Sequence, residues 1–214
     1  MIIRQRYMEE LEEMNRNVIQ MSTLLEESIG KVIHALKNKD AQEAKKIIEN
    51  DDAMDEMERK IEAECITIIA REQPVAKDLR RVMSIMRMIS DIERIGDHCA
   101  DISEYIILLS KEDGIPMPKS VEQMLLKMKE MVVAVIDSFV NEDLEKAQWV
   151  KKEDDVVDDY FEQILQELCT DMKENPDAIK QYAYFIMIIK YIERMADHAT
   201  NMSEWNTFII TGDL

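Results

Sequence analysis

Pairs of carboxylate side chains recur in this chain at a spacing of four residues. Asp51 and Asp55 form one pair, and Glu93 and Asp97 form another. On a helix, residues four apart lie about 40° from each other, so each pair presents its oxygens on one face. Two such pairs on neighbouring helices can converge on a cation, because hard and borderline cations bind several carboxylate oxygens. The spacing therefore predicts a metal site formed by these four residues.

Both pairs have counterparts in the second half of the chain. The residues from Ile92 to His98 read IERIGDH, and those from Ile192 to His198 read IERMADH, at a shift of 100 residues. At a shift of 103 residues the first aspartate pair also recurs. An internal repeat of this kind indicates two related structural units. The predicted second metal site consists of Asp154, Asp158, Glu193 and Asp197.

A solvated acidic face is the alternative interpretation of these carboxylates. Arg94, Arg59 or Lys60 could neutralise part of such a face, and exposed ion pairs of this type are common without any ion. Recurrence favours the metal site, because a face that only keeps the chain in solution would retain charge without retaining positions. The sequence leaves both interpretations open.

The histidines give no support to an enzymatic metal centre. His98 and His198 lie about 100° round their helices from the adjacent aspartates, which predicts that they pack between helices and do not bind the same ion. A ferritin-like di-iron site needs Glu-x-x-His on two helices, and no histidine here follows a glutamate at that spacing. The motifs of a phosphate-binding loop and of a nucleophile elbow are also missing. We therefore expect a protein that is not an enzyme.

Charge and composition restrict the partners and the compartment. The chain has 45 acidic and 27 basic residues and a formal net charge of −18, so it repels nucleic acids and anionic lipids on average. No segment approaches the roughly 20 apolar residues of a membrane span. An acidic run from Glu9 to Glu13 stands where a signal peptide would have its apolar core. We expect a cytoplasmic protein that binds no nucleic acid and does not insert into a membrane.

Helical periodicity dominates the chain. Only 4 glycines and 4 prolines occur in 214 residues, and apolar residues recur in steps of three and four. This predicts an all-α fold of six long antiparallel helices, arranged as two tandem and similar three-helix bundles. The expected helices cover about 7–38, 40–72, 75–109, 121–140, 144–174 and 176–210. The expected domains are residues 1–110 and 121–214, joined by a linker at 111–120 that contains a glycine and two prolines.

One local charge cluster has the opposite sign to the chain. Lys77, Arg80 and Arg81 follow the turn at Pro74 and form the densest basic group in the sequence. A solvated helix start is the plain interpretation of this group.

Three elements together resemble one protein family. They are the segment QPVAKDLR at residues 73–80, the two Glu-Arg-x-x-Asp-His segments at 93–98 and 193–198, and Asp51-x-x-x-Asp55. In their order and doubling they are similar to the PhoU family of phosphate-transport regulators, over essentially the whole chain. The resemblance implies tandem three-helix bundles in the cytosol, frequent homodimers, and metal clusters that some members carry on the E/D-x-x-x-D pairs.

The resemblance also implies a function and its partners. Family members act between the ATPase of the high-affinity phosphate ABC transporter and the sensor histidine kinase of the phosphate regulon, and they repress signalling when phosphate is plentiful. We expect a regulator of this kind, with divalent or ferric ions, iron or zinc foremost, in single or multinuclear sites. The alternatives are a metal-buffering protein, a metal-dependent enzyme, or an accessory regulator of another transporter.

Overall fold

Helices make up nearly all of the described part of the chain. The structure is a computed structural model that describes residues 2–112 and 114–213. No strand occurs within these two ranges, and the predicted all-α fold class is confirmed. The helices are α1 (Ile2–Asn38), α2 (Ala41–Glu49), α3 (Asp52–Glu72), α4 (Lys77–Leu109), α5 (Lys119–Asn141), α6 (Leu144–Glu174) and α7 (Ile179–Thr211), with a 3₁₀ turn at Pro176–Ala178.

The second predicted helix is interrupted, so the expectation of one continuous helix over 40–72 is wrong in that detail. Asn50, with φ −94° and ψ 0°, separates α2 from α3. The sequence at this point is Asn50-Asp51-Asp52, and Asn and Asp are weak helix formers whose side chains compete for backbone hydrogen bonds. Both α2 and α3 pack against α1 and α4. The first unit therefore keeps the layout of three helical layers despite the break.

The same local device reverses the chain in both units. Asp40 accepts hydrogen bonds from two backbone N–H groups of α2, and Asp143 accepts one from α6. These are helix N-caps, which satisfy donors that the first turn leaves free. The preceding residues, Lys39 and Glu142, both have φ of 51°. The two caps fix where α2 and α6 begin after the reversals, whereas the first turn of α3 has no side-chain cap.

The two units pack against each other mainly through α4 and α7, with α1 against α5 as a second contact. Ile92 and its counterpart Ile192 are fully buried in these two helices. Gly96 lets α3 approach α4 closely, since a Cβ there would lie 3.2 Å from Cγ of Met54. Ala196 takes the corresponding place in α7 and is buried. The small residue at Gly96 thus lets the first acid-bearing pair of helices, α3 and α4, come together.

Among the described helices, none has both the length and the apolar run that crossing a bilayer requires.

Phe185 tests the common core. Its side chain is 0% exposed in α7, so Phe185→Ala should lower the free energy of unfolding by about 3–5 kcal/mol through lost burial and a residual cavity. Urea denaturation followed by circular dichroism measures this change. Val75→Ala is the control, since Val75 is 75% exposed and a surface change should stay within about 0.5 kcal/mol. Equal effects of the two substitutions would contradict the packing described here.

Candidate metal centre

Three of the four carboxylates predicted for the first site converge in the structure. Asp55 projects from α3, and Glu93 and Asp97 project from α4, with one ligand oxygen of each within 4.8 Å of the others. All three are partly buried. Asp51 lies at the break between α2 and α3, outside this group. The fourth predicted ligand is therefore beside the cluster and not within it.

Burial and neighbouring negative charges raise the pKa values of Glu93 and Asp51. Burial, followed by the charge of Asp97, raises the pKa of Glu93 to about 7. Burial also raises the pKa of Asp51 to about 6, with Asp97 and Asp55 as the next causes. Asp51 thus shares the field of the cluster although it lies outside the close group. Without a cation, this site retains protons near neutral pH that a bound ion would displace.

Two arginines form ion pairs with the acidic cluster, as the solvated-face interpretation predicts, but they are weak partners. Arg94 lies 2.9 Å from Asp97 and 3.4 Å from Glu93, and Arg59 lies 3.8 Å from Asp55. Both arginines are mostly exposed, and such ion pairs contribute about 0–1 kcal/mol. The pKa of Glu93 stays raised although the charge of Arg94 lowers it. Arg94 therefore does not bring the pKa of Glu93 back to its ordinary value, because burial, the largest cause, still raises it.

The second predicted set is more open than the first. Asp154 and Asp158 lie on α6, and Glu193 and Asp197 lie on α7. These four residues do not bring three ligand atoms within 4.8 Å of one another. They nevertheless face each other, because burial and then the charge of Asp197 raise the pKa values of Asp158 and Glu193. The same two causes raise the pKa of Asp154.

Two buried oxygens of this second set, Oδ1 of Asp154 and Oε2 of Glu193, make no hydrogen bond of normal geometry. Lys190 Nζ lies 3.8 Å from the Glu193 oxygen, which is beyond hydrogen-bond distance. A buried carboxylate oxygen without a partner is costly, since its desolvation is not repaid by a hydrogen bond. A cation would satisfy such oxygens, and oxygen ligands suit magnesium, manganese, iron and zinc. The chemistry of both acidic sets therefore fits a metal ion.

The two histidines lie at the contact between the units. Their ring centroids are 5.8 Å apart, and the His98 ring also lies 5.3 Å from that of Tyr191. His98 Nδ1 is 3.0 Å from a carboxylate oxygen of Asp101, and His198 Nδ1 is 2.8 Å from one of Asp91. Both rings thus pack between α4 and α7, as their helical positions predict, and each Nδ1 is occupied by an aspartate outside the two acidic sets.

A third group of possible ligand atoms was not predicted from the sequence. His34, Asp40 and Glu43 also bring three such atoms within 4.8 Å. Asp40 is the N-cap of α2, with hydrogen bonds of 2.9 and 3.1 Å from backbone N–H groups, and Glu43 contacts His34. The spacing of Asp40 and Glu43 predicts the helix cap at Asp40. The position of His34 beside these two acids could not be predicted, because it depends on the tight reversal of the chain after α1.

The chain is similar to known proteins over nearly its full length. A family model described as the PhoU domain matches it twice, at residues 18–106 and 121–205. A relative from Clostridium acetobutylicum, named phosphate-specific transport system accessory protein PhoU homolog, is 36% identical over 204 residues, covering 95% of this chain and 93% of the relative. A relative of the same name from Pseudomonas aeruginosa is 34% identical over 98% of this chain and 87% of its own length.

Solved structures show the same architecture. PhoU from Pseudomonas aeruginosa superimposes with a TM-score of 0.93 at 33% identity, over 97% of this chain and 100% of that one. The phosphate transport system regulatory protein PhoU from Streptococcus pneumoniae gives a TM-score of 0.90 at 28% identity, over 97% and 98%. The fold and its paired acidic helices thus define a class of tandem helical-bundle proteins. The chain belongs to the PhoU family, as the resemblance of its motifs predicts.

The raised pKa of Glu93 predicts a pH effect on stability. A carboxyl group whose pKa is raised on folding, here from 4.5 to about 7, makes metal-free protein lose stability as the pH rises through that interval. Glu93→Gln should therefore increase the free energy of unfolding at pH 8 by about 1–3 kcal/mol and have little effect at pH 4. Urea denaturation with a chelator present measures this difference.

An exposed glutamate supplies the control for this prediction. Glu12→Gln on α1 removes the same charge from a solvated position and should change stability by less than about 0.5 kcal/mol. If Glu93→Gln destabilises the metal-free protein at pH 8, the unfavourable burial and repulsion ascribed to the Glu93 carboxylate are not present.

Proposed function

We propose that this chain is an accessory regulator of a phosphate transport system, which represses phosphate uptake and phosphate-starvation signalling when phosphate is plentiful. The observation that carries the proposal is that both helical units match the PhoU domain. Relatives that cover nearly the whole chain are named as accessory proteins of phosphate-specific transport. The regulator acts by binding and catalyses no reaction.

Its partners in this proposal are the ATPase of the phosphate ABC transporter and the sensor histidine kinase, on the cytoplasmic side of the membrane. Two long-helix units support such a role, because their outer faces are broad and rigid. One example is a groove of about 790 Å³ between α5 and α6, where Leu126, Val133, Val140 and Trp149 are exposed apolar side chains. The active form in this proposal is a homodimer.

Metal binding is the second part of the proposal. Asp55, Glu93 and Asp97 would hold a divalent or ferric ion, with iron or zinc as the expected metals, and Asp51 could extend the site to a second ion. The four carboxylates on α6 and α7 would hold the corresponding ion in the other unit. A bound cation would neutralise the repulsion between facing helices and tie α3 to α4 and α6 to α7. The cation would then stabilise the arrangement of helices that binds the partner proteins.

A metal-handling protein is the competing candidate, because the acidic sets themselves favour it. In that case the clusters would be the function, either as a metal buffer or as a metal-dependent enzyme. A regulator of a different transporter is the third candidate. All three predict the same fold, and the first two predict bound metal, so the decisive measurement is a phenotype.

Metal content tests the proposed ligands. Glu93→Gln/Asp97→Asn should lower the metal bound per chain in protein purified without chelator, as measured by elemental analysis. It should also remove the rise in melting temperature that added iron or zinc gives, because a ligand that binds only the folded state stabilises it. Glu12→Gln/Glu13→Gln is the control with the same loss of charge at exposed positions. Identical metal content in all three proteins would leave the acidic sets as solvated faces.

Deletion of the gene tests the regulatory role. Loss of a repressor should leave phosphate-starvation genes switched on in rich phosphate, as measured by transcript levels, whereas loss of a metal buffer should alter metal tolerance. Restoring the intact gene should reverse the phosphate phenotype. Unchanged phosphate signalling in the deletion strain would contradict the regulatory proposal.

A further inference from the structure

A second groove lies between the start of α4 and the end of α7, away from the acidic sets. Its volume is about 470 Å³. We call it the α4–α7 groove. It is lined by Leu79, Arg80, Met83 and Arg87 of α4 and by Trp205 and Phe208 of α7.

The floor and rim of the groove are apolar and exposed. Leu79 is 37% exposed and Met83 is 43% exposed, and they stand one helical turn apart on the same side of α4. Trp205 and Phe208 pack edge to face, with centroids 6.2 Å apart. Aromatic residues and arginine are the side chains that most often supply binding energy at protein interfaces. The groove thus has the composition of a docking site.

The charge of the groove is opposite to that of the chain. Arg80 and Arg87 form no ion pair with any described residue, and Nε of Arg80 is buried without a hydrogen-bond partner. Lys77 and Arg81, which belong to the same basic segment, are instead paired with Glu142, at 3.6 and 2.7 Å. In a chain of net charge −18, two arginines in one apolar groove that pair with no acid among the described residues are complementary to a ligand that brings carboxylates.

The shape of the groove favours a helix as that ligand. The α4 residues from Leu79 to Arg87 extend over about 12 Å, or two helical turns, and a channel between two antiparallel helices accepts a third helix by interdigitation of side chains. Strand addition is not open to this surface, because it requires a sheet edge.

We propose that the α4–α7 groove binds an acidic amphipathic helix supplied by a partner protein. The apolar residues of that helix pack on Met83 and Trp205, and its carboxylates pair with Arg80 and Arg87. An anionic bilayer is a poorer occupant, because the net charge of the chain opposes approach to a broad negative surface, and the groove is concave. The surface and its ligand chemistry are inferred from the groove itself, whichever protein carries the helix.

Site-specific photo-cross-linking tests the occupant in cells that express the protein natively. Met83 is replaced by p-benzoylphenylalanine in the full chain, and the cross-linked peptide is sequenced by mass spectrometry. We expect a segment of another protein with net negative charge and apolar residues spaced three and four apart. The same photoreactive residue at Ile66, which is exposed on α3, should not capture that segment.

The result has clear contrary outcomes. Cross-links to lipid, to a second copy of this chain, to a segment without net negative charge, or to nothing would each overturn the proposal. Loss of phosphate control in the deletion strain, together with any of these outcomes, would leave the regulatory role standing and refute the groove alone. Capture of an acidic helix, together with normal phosphate control in the deletion strain, would support the groove proposal and refute the regulatory role.

Charge reversal at the groove supplies the matched comparison. Arg87→Glu should lower the cross-linking yield at Met83 about tenfold or more, as expected for a central contact. Arg87 is exposed, so this variant should fold, and circular dichroism verifies it. Lys45→Glu makes the same charge reversal at an exposed position of α2 and should leave the cross-linking yield unchanged. An undiminished yield in Arg87→Glu would contradict the role of the arginines.

Tryptophan fluorescence gives an independent measurement on purified protein. The chain has two tryptophans, so Trp149→Phe leaves Trp205 in the groove as the only reporter. A synthetic peptide of the cross-linked sequence should shift this emission to saturation, with affinity that falls as salt is raised. The same peptide with its acidic residues replaced by Gln should bind about tenfold more weakly. Equal affinities would overturn the proposed charge recognition.

Discussion

Repulsion between carboxylates on facing helices is the constraint on which the rest of the structure depends. Each acid-bearing pair of helices brings several carboxylates together, and the pKa values of Asp51 and Glu93 are raised first by burial and then by the charges of neighbouring acids. The compensating term is burial beneath the acids. Met54 packs against Gly96 in the first unit, and a continuous apolar core runs under both units.

The internal repeat is used unequally in the two units. In the first, three ligand oxygens fall within 4.8 Å of one another. In the second, at the shift of 103 residues, Phe161 and Leu165 stand where α3 of the first unit has Glu58 and Glu62, and both pack against the core. The second set is more open, and its buried oxygens on Asp154 and Glu193 make no hydrogen bond of normal geometry. The same helical framework therefore carries one close acidic cluster and one wider set in which two carboxylate oxygens make no hydrogen bond.

Much of this arrangement could be predicted from sequence, because it depends on periodicity. The bounds of α6 follow from Asp143 as a cap and from the apolar steps after it, and the facing acids follow from their spacing of four. Features that depend on a local backbone choice could not be predicted. The break at Asn50 moves Asp51 out of the close group, and the reversal at Lys39 brings His34 to Asp40. The α4–α7 groove joins Arg80 to Trp205, which are remote in sequence and meet only through packing.

The basic groove and the acidic site share α4, and their separation decides whether they interfere. Arg87 and Glu93 are six residues apart, which is about 9 Å along the helix. The Debye length at physiological ionic strength is about 8 Å, so salt weakens the field of the acidic site at the groove but does not remove it, because the acids are partly buried. For an acidic ligand in the groove, attraction by the nearby arginines is therefore stronger than repulsion by the net charge of −18. A cation in the acidic site would weaken the remaining repulsion further, because it removes negative charge at the nearest cluster. One helix can thus present opposite charges to two ligands.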